Sequence, residues 1–231
     1  MNTKGLLDQL MQQGSQLFGG GSQSQQQGQS GKSAGGFMNS FGGGAVTGGA
    51  LGLLLGSKKG RKIGGKVLTY GGLAALGVIA YKAYNNYQQK QTAGGSTYHE
   101  PQTIDRLPPA QAETHSHAIL TALIGAAKAD GHIDAREQQL IDEELAKLGG
   151  DASTQQWLHA ELAKPLDPAD VARAAKSTEM AAEMYLASVF AVDAQNFMER
   201  SYLQELARQL RLDPALQEEL DQQAQQALQS A

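Results

Sequence analysis

The stretch AAKADGHIDAREQQLIDEELAKLG, Ala126 to Gly149, has a partner further along the chain in ASVFAVDAQNFMERSYLQELARQLRLD, Ala187 to Asp213. Each opens in the tail of a segment that is apolar nearly all round, Ala118 to Ala129 in the first case and Met184 to Val192 in the second. Each then passes through an acidic turn into an amphipathic helix pattern. Glu137, Ile141 and Leu148 fall on Glu199, Leu203 and Leu210 at a constant offset of 62, with the turns differing by one residue. A helix that is apolar on every side belongs in the middle of a fold. The pattern therefore predicts two helix-turn-helix units about an approximate two-fold axis, with the two apolar segments as the central packed pair.

Outward from this pair the punctuation is helical throughout. Gly131 and the pair Gly149, Gly150 sit where C-terminal caps are wanted, and Asp134, Ser153, Asp167 and Asp213 where N-caps are wanted. Pro168 and Pro214 occupy first helical positions, where a missing N–H costs nothing. Helices are predicted over 112–129, 135–148, 154–164, 168–176, 178–192, 198–210 and 214–228, and no stretch alternates like a strand. The fold class is all-α: Gly-rich membrane-associated segments followed by a compact bundle of about seven helices over 111–231.

The chain has 231 residues, 28 Gly and no Cys, and its two parts are unlike. Residues 1–98 hold 24 of the glycines and nine basic residues against one acidic, whereas residues 99–231 carry a net charge of −12. The absence of Cys excludes a disulfide scaffold, a thiolate metal site and a Cys nucleophile. Residues 1–18 space Leu6, Leu7, Leu10, Met11, Leu17 and Phe18 as a short amphipathic helix, without the uninterrupted apolar run of a secretory signal. Residues 19–36 are almost wholly Gly, Ser and Gln, which bury nothing and form a disordered tether.

Two apolar stretches lie in 37–84, Phe41 to Gly56 and Val67 to Tyr81, flanking a turn with Lys58, Lys59, Arg61, Lys62 and Lys66. Neither reaches the ~20 residues of a full span. Gly44, Gly48, Gly52 and Gly56 recur at every fourth position, which on a helix makes a smooth stripe where another backbone approaches closely in lipid. Insertion in the bilayer is the expectation, with self-association through this stripe and Tyr70, Tyr81, Tyr84 and Tyr87 at the interface; the alternative is a flexible Gly-rich linker. Residues 85–110, rich in Gln, Asn and Thr and closed by Pro108 and Pro109, read as a second linker.

Chemistry is sparse. Asp130, Asp134 and Glu137 could gather oxygen ligands for Ca²⁺ or Mg²⁺. They equally make a helix N-terminus, with Asp134 as cap and Glu137 three residues on. The spacing is not that of an EF-hand. Gly31, Lys32 and Ser33 end like a phosphate loop, but Gln26 stands where such a loop needs Gly. His115 and His117, two apart, face different sides of a helix; His132 and His159 have no evident ligand set. No Ser, His and carboxylate group into a triad. Trp157 reads as core packing or as an interface anchor. The acidic body disfavours nucleic acid, and the Lys58 to Lys66 cluster suits anionic headgroups.

At the level of motifs, ALIGAAKADGHIDAREQQLIDEELAKLG (Ala122 to Gly149) resembles the first half of a TerB-like domain, the all-helical module of tellurite-resistance proteins and of a membrane-anchored J-domain co-chaperone. FAVDAQNFMERSYLQELARQLRLDPAL (Phe190 to Leu216), with Asn196, Glu199, Leu203, Leu206, Ala207 and Leu212-Asp213-Pro214, is more particular. With the Gly-rich, Lys-bearing segment upstream it is similar to the YebE-like family of bacterial inner-membrane proteins. The resemblance covers roughly residues 40 to 230 and implies an inner-membrane protein but no activity. In TerB-like domains acidic residues near these turns are linked to metal, which carries over to Asp130, Asp134 and Glu137. The second copy has Ala194 where the first has Gly131 and lacks a counterpart to Asp134, which argues against a symmetric site. The expectation is a non-enzymatic, membrane-tethered module binding an unidentified protein partner in envelope stress, its body slightly favoured on the periplasmic side; the rival is a metal-ion sensor.

Overall fold

The computed structural model describes residues 3–5, 72–92, 99–129, 152–192 and 196–230. All regular structure among them is helical. The helices, in chain order, are α1 (Gly72–Thr92), α2 (Pro109–Ala127), α3 (Ala152–Ala163), α4 (Pro168–Ala172), α5 (Thr178–Ala191), α6 (Phe197–Gln209) and α7 (Pro214–Ser230).

The helix starts follow the local chemistry. Asp167 accepts the Ala169 N–H at 2.9 Å and Asp213 the Ala215 N–H at 2.8 Å, each ahead of a proline at the first helical position. Ser177 caps α5 by accepting the Met180 N–H, and Asn196 caps α6 by accepting the Met198 N–H. Ser153 is not a cap, since α3 begins at Ala152 and places Ser153 inside its first turn. The expected helix 168–176 stops at Ala172. Its continuation tightens into i→i−3 bonds, Ala174 N–H to Val171 O and Ala175 N–H to Ala172 O, which cannot propagate an α-helix.

The pair α2 and α5 forms the centre, as their all-round apolarity requires. Ile119, Leu120 and Ile124 of the first and Met184 and Leu186 of the second are fully buried. The outer helices contribute one face each, Leu206 from α6 and Leu216 and Leu220 from α7.

The helical body starts earlier than residue 111. α1 runs into the expected linker as far as Thr92 and packs along α5 and α7, burying Leu76, Ala80 and Ala83 at helical spacing. At Gly77 it passes so close to the turn at 103–106 that an added Cβ would lie 2.6 Å from Asp105 Oδ1. Lys90 pairs with Glu219 of α7, which also accepts from Asn86 Nδ2 at 3.3 Å. Of the tyrosines expected at a membrane interface, Tyr70 lies outside the described residues, and Tyr81, Tyr84 and Tyr87 act here as packing groups. Tyr84 and Tyr87 stack edge-on with centroids 6.0 Å apart against the core, and the Arg106 guanidinium lies 3.8 Å from the Tyr81 ring centroid. From Gly72 onward one face of the second apolar stretch thus packs on protein while Val78 is exposed; no helix among the described residues is long and apolar enough to cross a membrane.

The Gly44, Gly48, Gly52, Gly56 stripe, the basic turn and the helix at 135–148 lie outside the described residues. Of the first eighteen residues only 3–5 are described, as one helical turn whose Thr3 and Lys4 N–H groups donate to the Glu113 carboxylate at 2.5 and 2.9 Å.

Candidate functional site

Asp130, Asp134 and Glu137 also lie outside the described residues, but the helix that leads to them is firmly anchored. Lys128 is buried at the end of α2 and donates from Nζ to the carbonyls of Glu161 at 2.7 Å and Lys164 at 2.6 Å. It thereby closes the end of α3. Desolvation holds this ammonium below the usual lysine range. No three His, Asp or Glu side chains among the described residues stand close enough to share a metal ion.

His115 and His117 do face different sides of α2. The His117 ring tilts against Trp157 with centroids 4.3 Å apart, and burial lowers its pKa. Trp157 is half-buried against the core. His115 turns inward, its Nδ1 2.5 Å from a carboxylate oxygen of Glu183 on α5. The other Glu183 oxygen accepts the Ile104 N–H at 2.6 Å, and the whole side chain is fully buried. This one carboxylate joins α2, α5 and the turn after α1. Burial is the main influence on it and raises its pKa, opposed by the hydrogen bond from His115. A single carboxylate in MAAEMYLAS, an otherwise apolar helix, is the signal that could have exposed it, since such a group must be partnered.

α2 and α6 meet at Gly125, where an added Cβ would lie 2.5 Å from Tyr202 Oη and 2.9 Å from Val171 Cγ2. Tyr202 Oη is buried and makes no hydrogen bond of good geometry; Ser188 is the polar side chain facing it, and burial keeps the phenol well above its ordinary pKa. Tyr202→Phe is therefore expected to raise stability by about 1 kcal/mol, since it removes an unsatisfied buried hydroxyl without opening space for water. Gly125→Ala should destabilise the wild type and cost less in the Tyr202→Phe background, because the nearer of the two clashing atoms is gone while Val171 Cγ2 remains. Chemical denaturation of the four proteins checks both; a destabilising Tyr202→Phe would mean that the hydroxyl is bonded.

On the outer face, the α4–α5 corner and the end of α6 enclose a groove of about 620 Å³ open to solvent. Its wall combines the small apolar side chains of Ala172, Ala175 and Ala181, with Leu210 beside them, and the polar Ser177, Thr178 and Gln209. Its rim carries Arg173, Lys176 and Arg211, and no acidic residue lines it among the described residues. Sequence reading supplied these charges but not their meeting, because they come from segments more than thirty residues apart that only the fold juxtaposes. The groove offers positive charge beside small apolar side chains, with the Ser177 and Thr178 hydroxyls also in its lining.

Comparison with known proteins agrees with the helical architecture. A family model described as "Protein of unknown function (DUF533)" matches residues 40–224, most of the chain. The chain belongs to the DUF533 family. DUF533 proteins are TerB-like in general, which accords with the all-helical body. The chain is also similar to a Yersinia enterocolitica protein described as "Uncharacterized protein in ampR 5′region", at 29% identity over 131 residues, 57% of this chain and 93% of the relative. No solved structure matches. The DUF533 match runs from just before the first apolar stretch into α7, so the family unit includes both apolar stretches, α1 and the groove.

Proposed function

We propose that the chain is a non-enzymatic module of the YebE-like kind, tethered to the bacterial inner membrane by its Gly-rich segment and presenting its helical body to a protein partner in envelope stress. The groove between α4, α5 and α6 carries this reading. It is a built concavity with a charged rim and an apolar wall on the outer face of a well-packed body. The Lys58 to Lys66 cluster supports the tether, since such charges stay on the cytoplasmic side and favour a periplasmic body. The stripe Gly44, Gly48, Gly52, Gly56 supports self-association in the bilayer.

The test is a photo-crosslinking amino acid placed at Ala175 of the full chain in intact cells, followed by carbonate washing of the membranes. Protein adducts from Ala175 and retention in the washed pellet are expected. No adduct from Ala175 or any exposed position would refute the module, and full recovery in the soluble fraction would refute the tether. A rise in melting temperature with Ca²⁺, Mg²⁺ or Zn²⁺ that Asp134→Ala abolishes would instead establish the metal-sensing alternative.

A further inference from the structure

The groove's cations are not equivalent. The Arg173 guanidinium pairs with Asp170, and Lys176 Nζ donates to the Arg173 carbonyl at 3.1 Å, so both are held in place at the rim. The Arg211 guanidinium has no partner among the described residues. Arg208, three residues earlier, is by contrast committed to Glu205 through two bonds of 2.9 and 2.5 Å. One arginine of this helix end is used internally and the other is left open over the groove.

The backbone makes the same distinction. α6 ends in a Schellman motif, with the Leu212 N–H bonded to Ala207 O at 3.2 Å and the Arg211 N–H to Arg208 O at 3.1 Å. Arg211 is the residue that must turn into the left-handed region, at φ 54°. Glycine closes such a turn without steric cost, and an arginine does not. Strain retained at a surface position points to a use for the side chain rather than for the turn.

The ligand's chemistry follows from the lining. Lys176 and Arg211 meet here, beside an Arg173 already paired with Asp170, in a domain of net charge −12, so the rim is a local patch of positive charge that favours an anion. A small inorganic anion would fill little of 620 Å³ and leave the alanine wall facing water. A peptide that carries carboxylates along one edge and small apolar side chains along the other satisfies both surfaces. Arginine favours carboxylates through its planar fork of donors.

We propose that this groove binds an acidic, alanine- or leucine-bearing peptide segment of a partner protein, with Arg211 as the residue that selects for its carboxylates. The assignment rests on the reading of the chain as an interaction module and supplies the partner's chemistry.

The test uses the full chain in detergent micelles and a fluorescent peptide of Glu, Ala and Leu, read by anisotropy. Arg211→Glu and the pair Arg173→Glu, Lys176→Glu should each weaken binding about tenfold or more, and added salt should weaken it in the wild type. Arg200→Glu, on α6 but outside the groove, should leave binding unchanged. Arg211→Gly separates binding from folding: it should weaken binding several-fold with a melting temperature equal to or above the wild type. Unchanged binding in Arg211→Glu, or equal binding of a Lys, Ala and Leu peptide, overturns the proposal. Displacement by millimolar inorganic phosphate at constant ionic strength also overturns it, in favour of a free-anion site. Adducts from Ala175 in cells that persist in the charge-reversed variants would refute the acidic ligand while leaving the interaction module standing.

Discussion

A fragment comprising residues 105–231 is expected to melt at least about 15 °C below one comprising residues 68–231. The shorter piece contains both central helices but lacks α1 and the buried Thr103 and Ile104, the latter a hydrogen-bond partner of Glu183. Loss of α1 removes the burial of Leu76, Ala80 and Ala83 and uncovers the side of α7 on which they lie, together with the Asn86 and Lys90 contacts to Glu219. At roughly 1.5 to 3 kcal/mol for Leu76, with smaller contributions from the two alanines and the partly buried Ile79, Tyr84 and Tyr87, the helix is worth about 5 kcal/mol, much of the stability of an ordinary domain. Circular dichroism and denaturant titration of the two fragments decide it. The short fragment should remain partly helical and bind a hydrophobic dye. Equal midpoints would show that α1 is an appendage and would restore a domain boundary near residue 111.

Glu183→Ala should cost about 3 to 5 kcal/mol, because it leaves the Ile104 N–H and the buried His115 ring without their shared acceptor and opens a void between α2 and α5. Glu183→Gln should cost less, since an amide oxygen still accepts from Ile104. The comparison of wild type with Glu183→Gln also has a pH signature. Burial raises the Glu183 pKa in the folded protein above its unfolded value, with His115 partly opposing and Asp105 adding to the rise. The folded state therefore holds this proton more tightly. The resulting stabilisation is complete below the unfolded pKa near 4.5 and is lost as pH climbs through the raised value. The stability of wild type relative to Glu183→Gln should fall from pH 4 to pH 8. A gap that widens with pH would mean that the His115 contact outweighs desolvation.

The parts of the fold that sequence made legible are those fixed locally. Asp167-Pro168 and Asp213-Pro214 announce their helices through a cap and a proline within two residues, and Ala118 to Ala129 and Met184 to Val192 declare a buried centre by composition alone. α1 was not legible for a tertiary reason. Its inner stripe is one leucine and two alanines, among glycines that equally suit close packing in lipid, and its partner α7 lies more than a hundred residues away. Glu183 and the groove were hidden in the same manner: the charges are plain in the sequence, but their partners are set by packing. The acidic turn with Asp130, Asp134 and Glu137 stands apart, legible as a motif and lying outside the described residues.

The clasp of α1 on α7 also constrains synthesis. α7 is translated after every other described helix, so Leu76, Ala80 and Ala83 emerge from the ribosome well before their covering surface exists. At roughly 5 to 20 residues per second this helix waits several seconds with its apolar stripe open. The order of the helices along the chain thus leaves the inner stripe of α1 without its α7 cover until synthesis is nearly complete.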